Sequence, residues 1–304
     1  FETWHAIDKL TDAEALALIA SLGIDVLIDL SGHTDLNCLP LFAARAAPVQ
    51  ISWLGWYATT GVVNMDYFLT DRVSSPEPSA AHHLERLLYL PDTRLCLCEP
   101  IFAPDVSPLP ASQNQHITFG SYQALAKITD ATLDLWRRVL AQLPTARLHI
   151  RASQLAHSHV AALFQTRLAA AGLPLDRIDL LAPLPYAAYL ESHSAIDLIL
   201  DTIPFSGGTT TAEALWMGVP TLTLLGNTLI ARQGASLLSA AGLGDWVARS
   251  QNDYIAKAQY WSEHLPDLAV LRENLRARVR TSPLFDSKSF ARVFTEAMET
   301  AAGA

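Results

Sequence analysis

Between His116 and Gly244 the sequence keeps switching between short aliphatic runs and longer segments with helical apolar spacing. That alternation constrains the fold more than any other feature. "HITFGSY", "ARLHIRA", "IDLLAPL", "IDLILDT" and "TLTLL" read as strands. Between and after them, "TDATLDLWRRVLAQLP", "SHVAALFQTRLAAAGL", "YAAYLESHSA", "TAEALWMG" and "ARQGASLLSAAGLG" read as helices. Strands that alternate with helices at this spacing predict a parallel sheet covered on both faces, so the fold class is α/β.

The first part of the chain follows the same grammar. "TDAEALALIASLG" offers Thr11 as N-cap, Glu14 three residues on, and Gly23 as a stop. The strand "IDVLIDL" then feeds a polar loop, "SGHTDLN", and "VQISWLGW", "MDYFLTD" and "RLLYLP" read as further strands. From about Asp92 to Gln115 the chain is rich in proline and polar residues, with four prolines in "EPIFAPDVSPLPASQNQ". This composition predicts a linker, and the boundary is set so that residues 1–112 and 113–304 form two domains. "SPLFDSKSFARVFTEAMETAA" predicts a last helix approached through Pro283. No repeat of solenoid length is visible.

Composition narrows the class. Of the 304 residues half are apolar and 17% charged, which excludes disorder. A net charge of −9 with no basic run argues against a nucleic-acid-binding surface. No apolar run is of membrane-spanning length and no leader segment opens the chain, so a cytoplasmic location without membrane partners is expected. The three cysteines, Cys38, Cys96 and Cys98, lack disulfide or zinc spacing and are expected as buried, reduced thiols. The chain opens at Phe1 without an initiator methionine, as expected of a piece of something longer.

The residues richest in chemistry lie in "DTIPFSGGTTTAEALWMGVP". Gly207, Gly208, Thr209 and Thr210 fall at a strand-to-helix turn, on the sheet edge where α/β proteins bind ligands. Free helix-end N–H groups and the helix dipole favour an anion there by about 0.3–1 kcal/mol. Glycines allow close approach, threonine hydroxyls add donors, and Glu213 one turn later suits the vicinal hydroxyls of a ribose. A capped helix after a tight turn explains the same letters. In "FGSYQALAKIT", Lys127 follows a strand end and precedes the Thr129 cap, where it can neutralise a phosphate or simply be solvated. "SWLGWYATTG" carries Gly55 and Gly61 among aromatics, as a ligand loop or as a packed turn. His33 is a candidate base or donor, or a structural histidine. There is no Asp-x-Asp pair, no HExxH and no GxSxG, and the histidine pairs lack carboxylates at metal spacing, so no metal is expected.

Together these blocks resemble the catalytic region of the O-linked N-acetylglucosamine transferases, glycosyltransferase family 41, which includes SPINDLY-like proteins. The resemblance is carried by "DVLIDLSGHT", "APVQISWLGW", "LERLLYLPDT", "FGSYQALAKIT" and above all "SGGTTTAEALWMGVP", in the family's order. It implies a GT-B architecture of two Rossmann-like lobes with parallel sheets. Residues 1–112 would be the rear part of an incomplete N-terminal lobe and 113–304 the UDP-sugar lobe, with the final helix crossing back.

The implied reaction is inverting, metal-independent transfer of GlcNAc from UDP-GlcNAc to Ser or Thr hydroxyls of a protein or peptide, with no cofactor. Another UDP-sugar or acceptor on the same fold, such as Asn-linked glucose, and a non-catalytic UDP-sugar binder are the alternatives. By the resemblance, Lys127, Thr209 and Thr210 contact the diphosphate beside Gly208 and Gln123, and Lys127 is the catalytic candidate. Glu213 faces the ribose, Leu184 and Pro185 the uracil, and Leu54 and Gly55 the sugar. Tetratricopeptide repeats and the rest of the first lobe are implied upstream. Departures from the family pattern are Tyr57 and Ala58 for Pro-Gly, Tyr186 for lysine and Tyr189 for a uracil-contacting histidine.

Overall fold

The ten strands found among the described residues form two sheets, and every pairing in both is parallel. This computed structural model describes residues 3–303; Phe1 and Glu2, which open the chain, and Ala304 lie outside the described residues. Two units result: Phe1–Leu95 with Lys288–Ala304, and Cys96–Ser287.

In the first unit, α1 (Asp12–Leu22) starts on the expected capping box, with Thr11 and Glu14 each bonding the other's backbone, and stops at Gly23 in the left-handed region. Strands β1 (Val26–Asp29), β2 (Val49–Ser52), β3 (Tyr67–Asp71) and β4 (Arg86–Leu90) lie side by side in chain order, with the short helix α2 (Leu39–Ala43) between β1 and β2. Ile51, Leu69 and Leu90 form the core of this sheet.

The second unit contains β5 (Thr118–Ser121), β6 (Arg147–Arg151), β7 (Ile178–Leu181), β8 (Leu198–Leu200), β9 (Thr221–Leu224) and β10 (Val247–Ala248). Its helices are α3 (Ala111–Asn114), α4 (Asp130–Gln142), α5 (Ser158–Ala170), α6 (Tyr186–Glu191), α7 (Thr209–Trp216), α8 (Leu229–Ala240), α9 (Gln251–Glu263) and α10 (Leu265–Arg280). The spatial strand order is β10-β9-β8-β5-β6-β7. β5 and β8 are buried at every position, as expected of central parallel strands. The last helix, α11 (Ser287–Ala302), places Phe290, Phe294, Ala297, Met298 and Ala301 against the core of the first sheet.

Two expectations need correction. The proline-rich segment is no linker: the division falls after Leu95 rather than at 112, because residues 96–112 are bonded into the second unit. The buried Arg272 of α10 donates from Nε to the Ser107 carbonyl (2.8 Å) and from Nη2 to Ser107 Oγ (2.9 Å). The same guanidinium donates from Nη1 to the Ile196 carbonyl (2.8 Å) and from Nη2 to that of His193 (3.0 Å). Burial pulls its pKa down to about 10, against the pull of Asp197. Asp197 in turn accepts the N–H groups of Ala111 and Thr118, both at 2.8 Å. The prolines shape an extended strap, and the arginine fastens it. The second correction concerns the cysteines, which are free but not buried: Cys38 and Cys96 are half-buried and Cys98 is exposed.

Candidate functional site at the carboxyl edge of the second sheet

Strand order reverses once in the second sheet. The chain runs from β5 outward through β6 and β7, then returns to place β8 on the other side of β5. At such a switch point the loops leaving the two central strands diverge and open a crevice. Both sequence candidates of this unit lie there. After β5 come Gln123, a short 3-10 turn over Leu125–Lys127, and Thr129, whose side chain caps α4 by accepting from the Thr132 N–H. After β8 come Asp201, the Gly207–Gly208 turn and α7.

The two loops are joined by a hydrogen-bonded relay. Lys127 Nζ donates to Gln123 Oε1 at 3.3 Å, and Gln123 Nε2 donates to Thr210 Oγ1 at 2.8 Å. Lys127 also stands over the Phe205 ring, 3.9 Å from its centroid. Burial lowers the lysine's pKa, and the nearby Asp201 carboxylate works in the opposite direction. An ammonium so placed is partly stripped of water, and an arriving anion can replace the glutamine oxygen as its partner.

Asp201, which in the sequence reads only as the end of a strand, has a structural role. The side chain is fully buried. Oδ1 accepts the N–H groups of Gly207 (2.8 Å) and Thr202 (2.9 Å), and Oδ2 accepts the Thr223 hydroxyl (2.7 Å). Burial pushes its pKa up to about 6, while these bonds and Lys127 pull the other way. The carboxylate therefore pins the turn that leads into α7. The glycines also differ from expectation. A Cβ on Gly207 would collide with Thr211 Oγ1 and approach Gln123 Nε2 to 2.6 Å, and one on Gly208 would approach Gln233 Nε2 to 2.7 Å. The space they leave is filled by the protein's own side chains.

No side chain caps α7 at Gly208, so the capped-helix reading of this turn fails. Thr209 is exposed and Thr210 half-buried at the helix end, while Thr211–Trp216 is buried throughout. Glu213 is 9% exposed, and its Oε2 accepts the Tyr189 hydroxyl at 3.0 Å. Burial raises the Glu213 pKa, and hydrogen bonding from Tyr189 and then Tyr186 opposes the rise. Both tyrosines belong to α6, whose preceding residues Leu184 and Pro185 are exposed. The second unit thus gathers Lys127, Gln123, Thr209, Thr210, Gly208 and Glu213 around one helix start.

Leu54 and Gly55 lie in the first unit, just after β2. The Gly55 N–H donates to the Trp53 carbonyl at 3.0 Å across Leu54, which takes φ +69°. This is a γ-turn of the strained hand. A Cβ on Gly55 would collide with the Leu30 carbonyl oxygen, so glycine is needed there for packing within the unit. His33 Nε2 lies 2.7 Å from the Thr60 carbonyl, and the ring tilts against Trp56, which favours a structural histidine. Among the described residues no group of three or more His, Cys, Asp or Glu is placed to hold a metal ion, and no helix is long and apolar enough to cross a membrane.

Two parallel-sheet α/β units, the second with a topological switch point, are the makings of a GT-B fold, and solved structures agree. A mutant of the O-GlcNAc transferase of Thermobaculum terrenum superposes with TM-score 0.93 at 38% identity, over 99% of this chain and 57% of that one. A sucrose-phosphate synthase from Thermosynechococcus elongatus, at 14% identity and TM-score 0.59, covers 98% of this chain and 80% of that one and shares the fold alone. The model of glycosyl transferase family 41 matches residues 5–97 and 109–294, and the chain belongs to that family.

Among curated relatives, a protein of Oryza sativa named as a probable UDP-N-acetylglucosamine–peptide N-acetylglucosaminyltransferase SPINDLY is 37% identical over 95% of this chain. The Arabidopsis thaliana protein of the same activity name, SEC, is 30% identical over 94% of it. The chain spans 31% and 30% of the lengths of these two relatives.

Proposed function

We propose that the protein containing this chain moves N-acetylglucosamine from UDP-GlcNAc to serine or threonine hydroxyls of proteins, inverting the anomeric centre and using no metal. The observation that carries this reading is the relay Lys127–Gln123–Thr210 at an uncapped helix start on the switch point. As the sugar leaves, negative charge grows on the UDP diphosphate. Lys127, the Thr209 and Thr210 hydroxyls and the free amides of α7 are the donors proposed to meet it, since donors held in place beforehand stabilise such charge without reorganisation. Glu213 takes the ribose, and Leu184 and Pro185 the uracil. The second unit is the UDP-sugar unit. Repeats and further parts of the first lobe upstream, a protein acceptor and a cytoplasmic location complete the proposal. The activity named for the SPINDLY and SEC relatives supports it.

The test is peptide glycosylation by the full-length protein, read by mass spectrometry with a panel of UDP-sugars. Transfer from UDP-GlcNAc that collapses in Lys127→Ala, with UDP binding weakened, is the expected result. Transfer at near wild-type rate by that variant overturns the assignment. Preference for another UDP-sugar or an asparagine acceptor would keep the fold and change the substrate.

A further inference from the structure

Glu213 is set in an unusual way for a group meant to read a hydroxyl pair. With 9% of the residue exposed, its carboxylate has little water to share, and a carboxylate in that position must be hydrogen-bonded to stay ionised. The bond comes from α6: the Tyr189 hydroxyl donates to Oε2 at 3.0 Å, and Tyr186, one turn earlier on the same helix, adds to the pull that keeps the carboxylate ionised. Tyr189 is itself firmly seated. Its N–H donates to the Pro185 carbonyl at 2.8 Å, and its ring lies 5.1 Å from that of His193, edge-on, and 5.8 Å from that of Tyr122. Tyr186 stacks on Tyr189, with centroids 6.2 Å apart and planes 21° from parallel.

We propose that Tyr189, seconded by Tyr186, is a positioning residue that holds the Glu213 carboxylate for the ribose hydroxyls of the nucleotide donor. The proposal rests on the ribose reading of Glu213 given above and adds the device that makes it selective. An ionised carboxylate offers about four acceptor positions. The Tyr189 phenol occupies one of them and orients the group, and the positions left over accept the vicinal hydroxyls. Both phenols have pKa values raised above the ordinary tyrosine value, by burial first and by Glu213 second, so at neutral pH they are donors. A phenylalanine at position 189 keeps the ring contacts and removes only the donor.

The experiment is calorimetric titration of the full-length protein with UDP, 2′-deoxy-UDP and 3′-deoxy-UDP. Wild type is expected to prefer UDP over at least one deoxy form by about tenfold, the size of one charged hydrogen bond. Tyr189→Phe should cut that preference to about threefold or less, by weakening UDP rather than by strengthening the deoxy form. Tyr186→Phe, at a partly exposed position, should cut it by a smaller factor and guards against a folding defect at position 189. Undiminished preference in both variants, each with a wild-type melting curve, overturns the positioning role while leaving the ribose reading intact. Equal binding of all three nucleotides by wild type removes Glu213 from the ribose and the proposal with it. Failure of wild type to bind UDP removes the proposed function itself.

Discussion

The two sheets of this chain are built from the same grammar, yet only the second reverses its strand order, between β5 and β8. In the second unit the reversal makes the loops after β5 and β8 leave neighbouring strands, and these loops bring Lys127, Gln123 and Thr210 together. In the first sheet the strands stand in chain order, with no such reversal among the described residues. There the candidate residues Leu54 and Gly55 ride a γ-turn with positive φ and depend on packing against Leu30. One site is placed by strand order, the other by local backbone geometry. Mutations should therefore act on them differently.

The largest effect is expected in the crevice and on function alone. Lys127→Ala should lower sugar transfer by the full-length protein by about two to three orders of magnitude, the scale seen when a donor to a developing anion is removed. Circular dichroism should show the fold kept. A large drop in melting temperature instead would mean that the lysine holds the two loops together, and the contrast would weaken.

Next come the glycines. Gly55→Ala drives a methyl into backbone, and about 2–3 kcal/mol of stability should be lost in denaturant titrations. Gly207→Ala meets the Thr211 hydroxyl and the end of Gln123, side chains rather than backbone, so about 1–2 kcal/mol is expected together with weaker UDP binding. Equal costs would erase the difference between the two turns.

Asp201→Asn tests how the crevice is pinned. The wild-type carboxyl has its folded pKa raised to about 6, so the stability tied to its proton is present at low pH and lost as pH rises from about 4 through 6. The amide cannot ionise. Melting curves across that window should show the variant gaining on wild type with rising pH, by about 3 kcal/mol in total. A constant gap between the two proteins would mean the carboxyl titrates normally. The smallest effect belongs to the strained turn: Leu54→Gly should change stability by less than about 1 kcal/mol, and upward, since glycine accepts positive φ at no steric cost.

Much of this was legible in the letters. Strand-helix alternation gave the parallel sheets, and Lys127, Thr209, Thr210 and Glu213 stand where loops leave central strands. Helices α9 and α10 do not stand out in the sequence: α9 buries just Tyr254 and Ala258 of its thirteen residues, and in α10 Arg272 lies in line with Leu268, Leu275 and Val279. That same arginine is why proline-rich residues 96–112 read as a linker but pack as part of the second unit, for its partners are 76 to 165 positions away in sequence. Asp201 was invisible as a pin, since nothing local says that a strand-end aspartate will accept from Gly207 and Thr223. A Tyr-x-x-Tyr on a short helix likewise carries no sign of the glutamate that lies 24 residues on from Tyr189.

The last helix has a consequence for how such a chain is made. Its stripe of Phe290, Phe294, Ala297, Met298 and Ala301 closes the core around Ile51, Leu69 and Leu90. A ribosome finishes that sheet's strands long before it reaches the stripe, while the whole second unit is still to be synthesised. Until the tail emerges, one face of the early unit stays apolar and open to wrong partners, the condition under which nascent chains aggregate or recruit chaperones. The helix acts as the closing seam of a sheet whose strand β1 lies more than two hundred residues earlier.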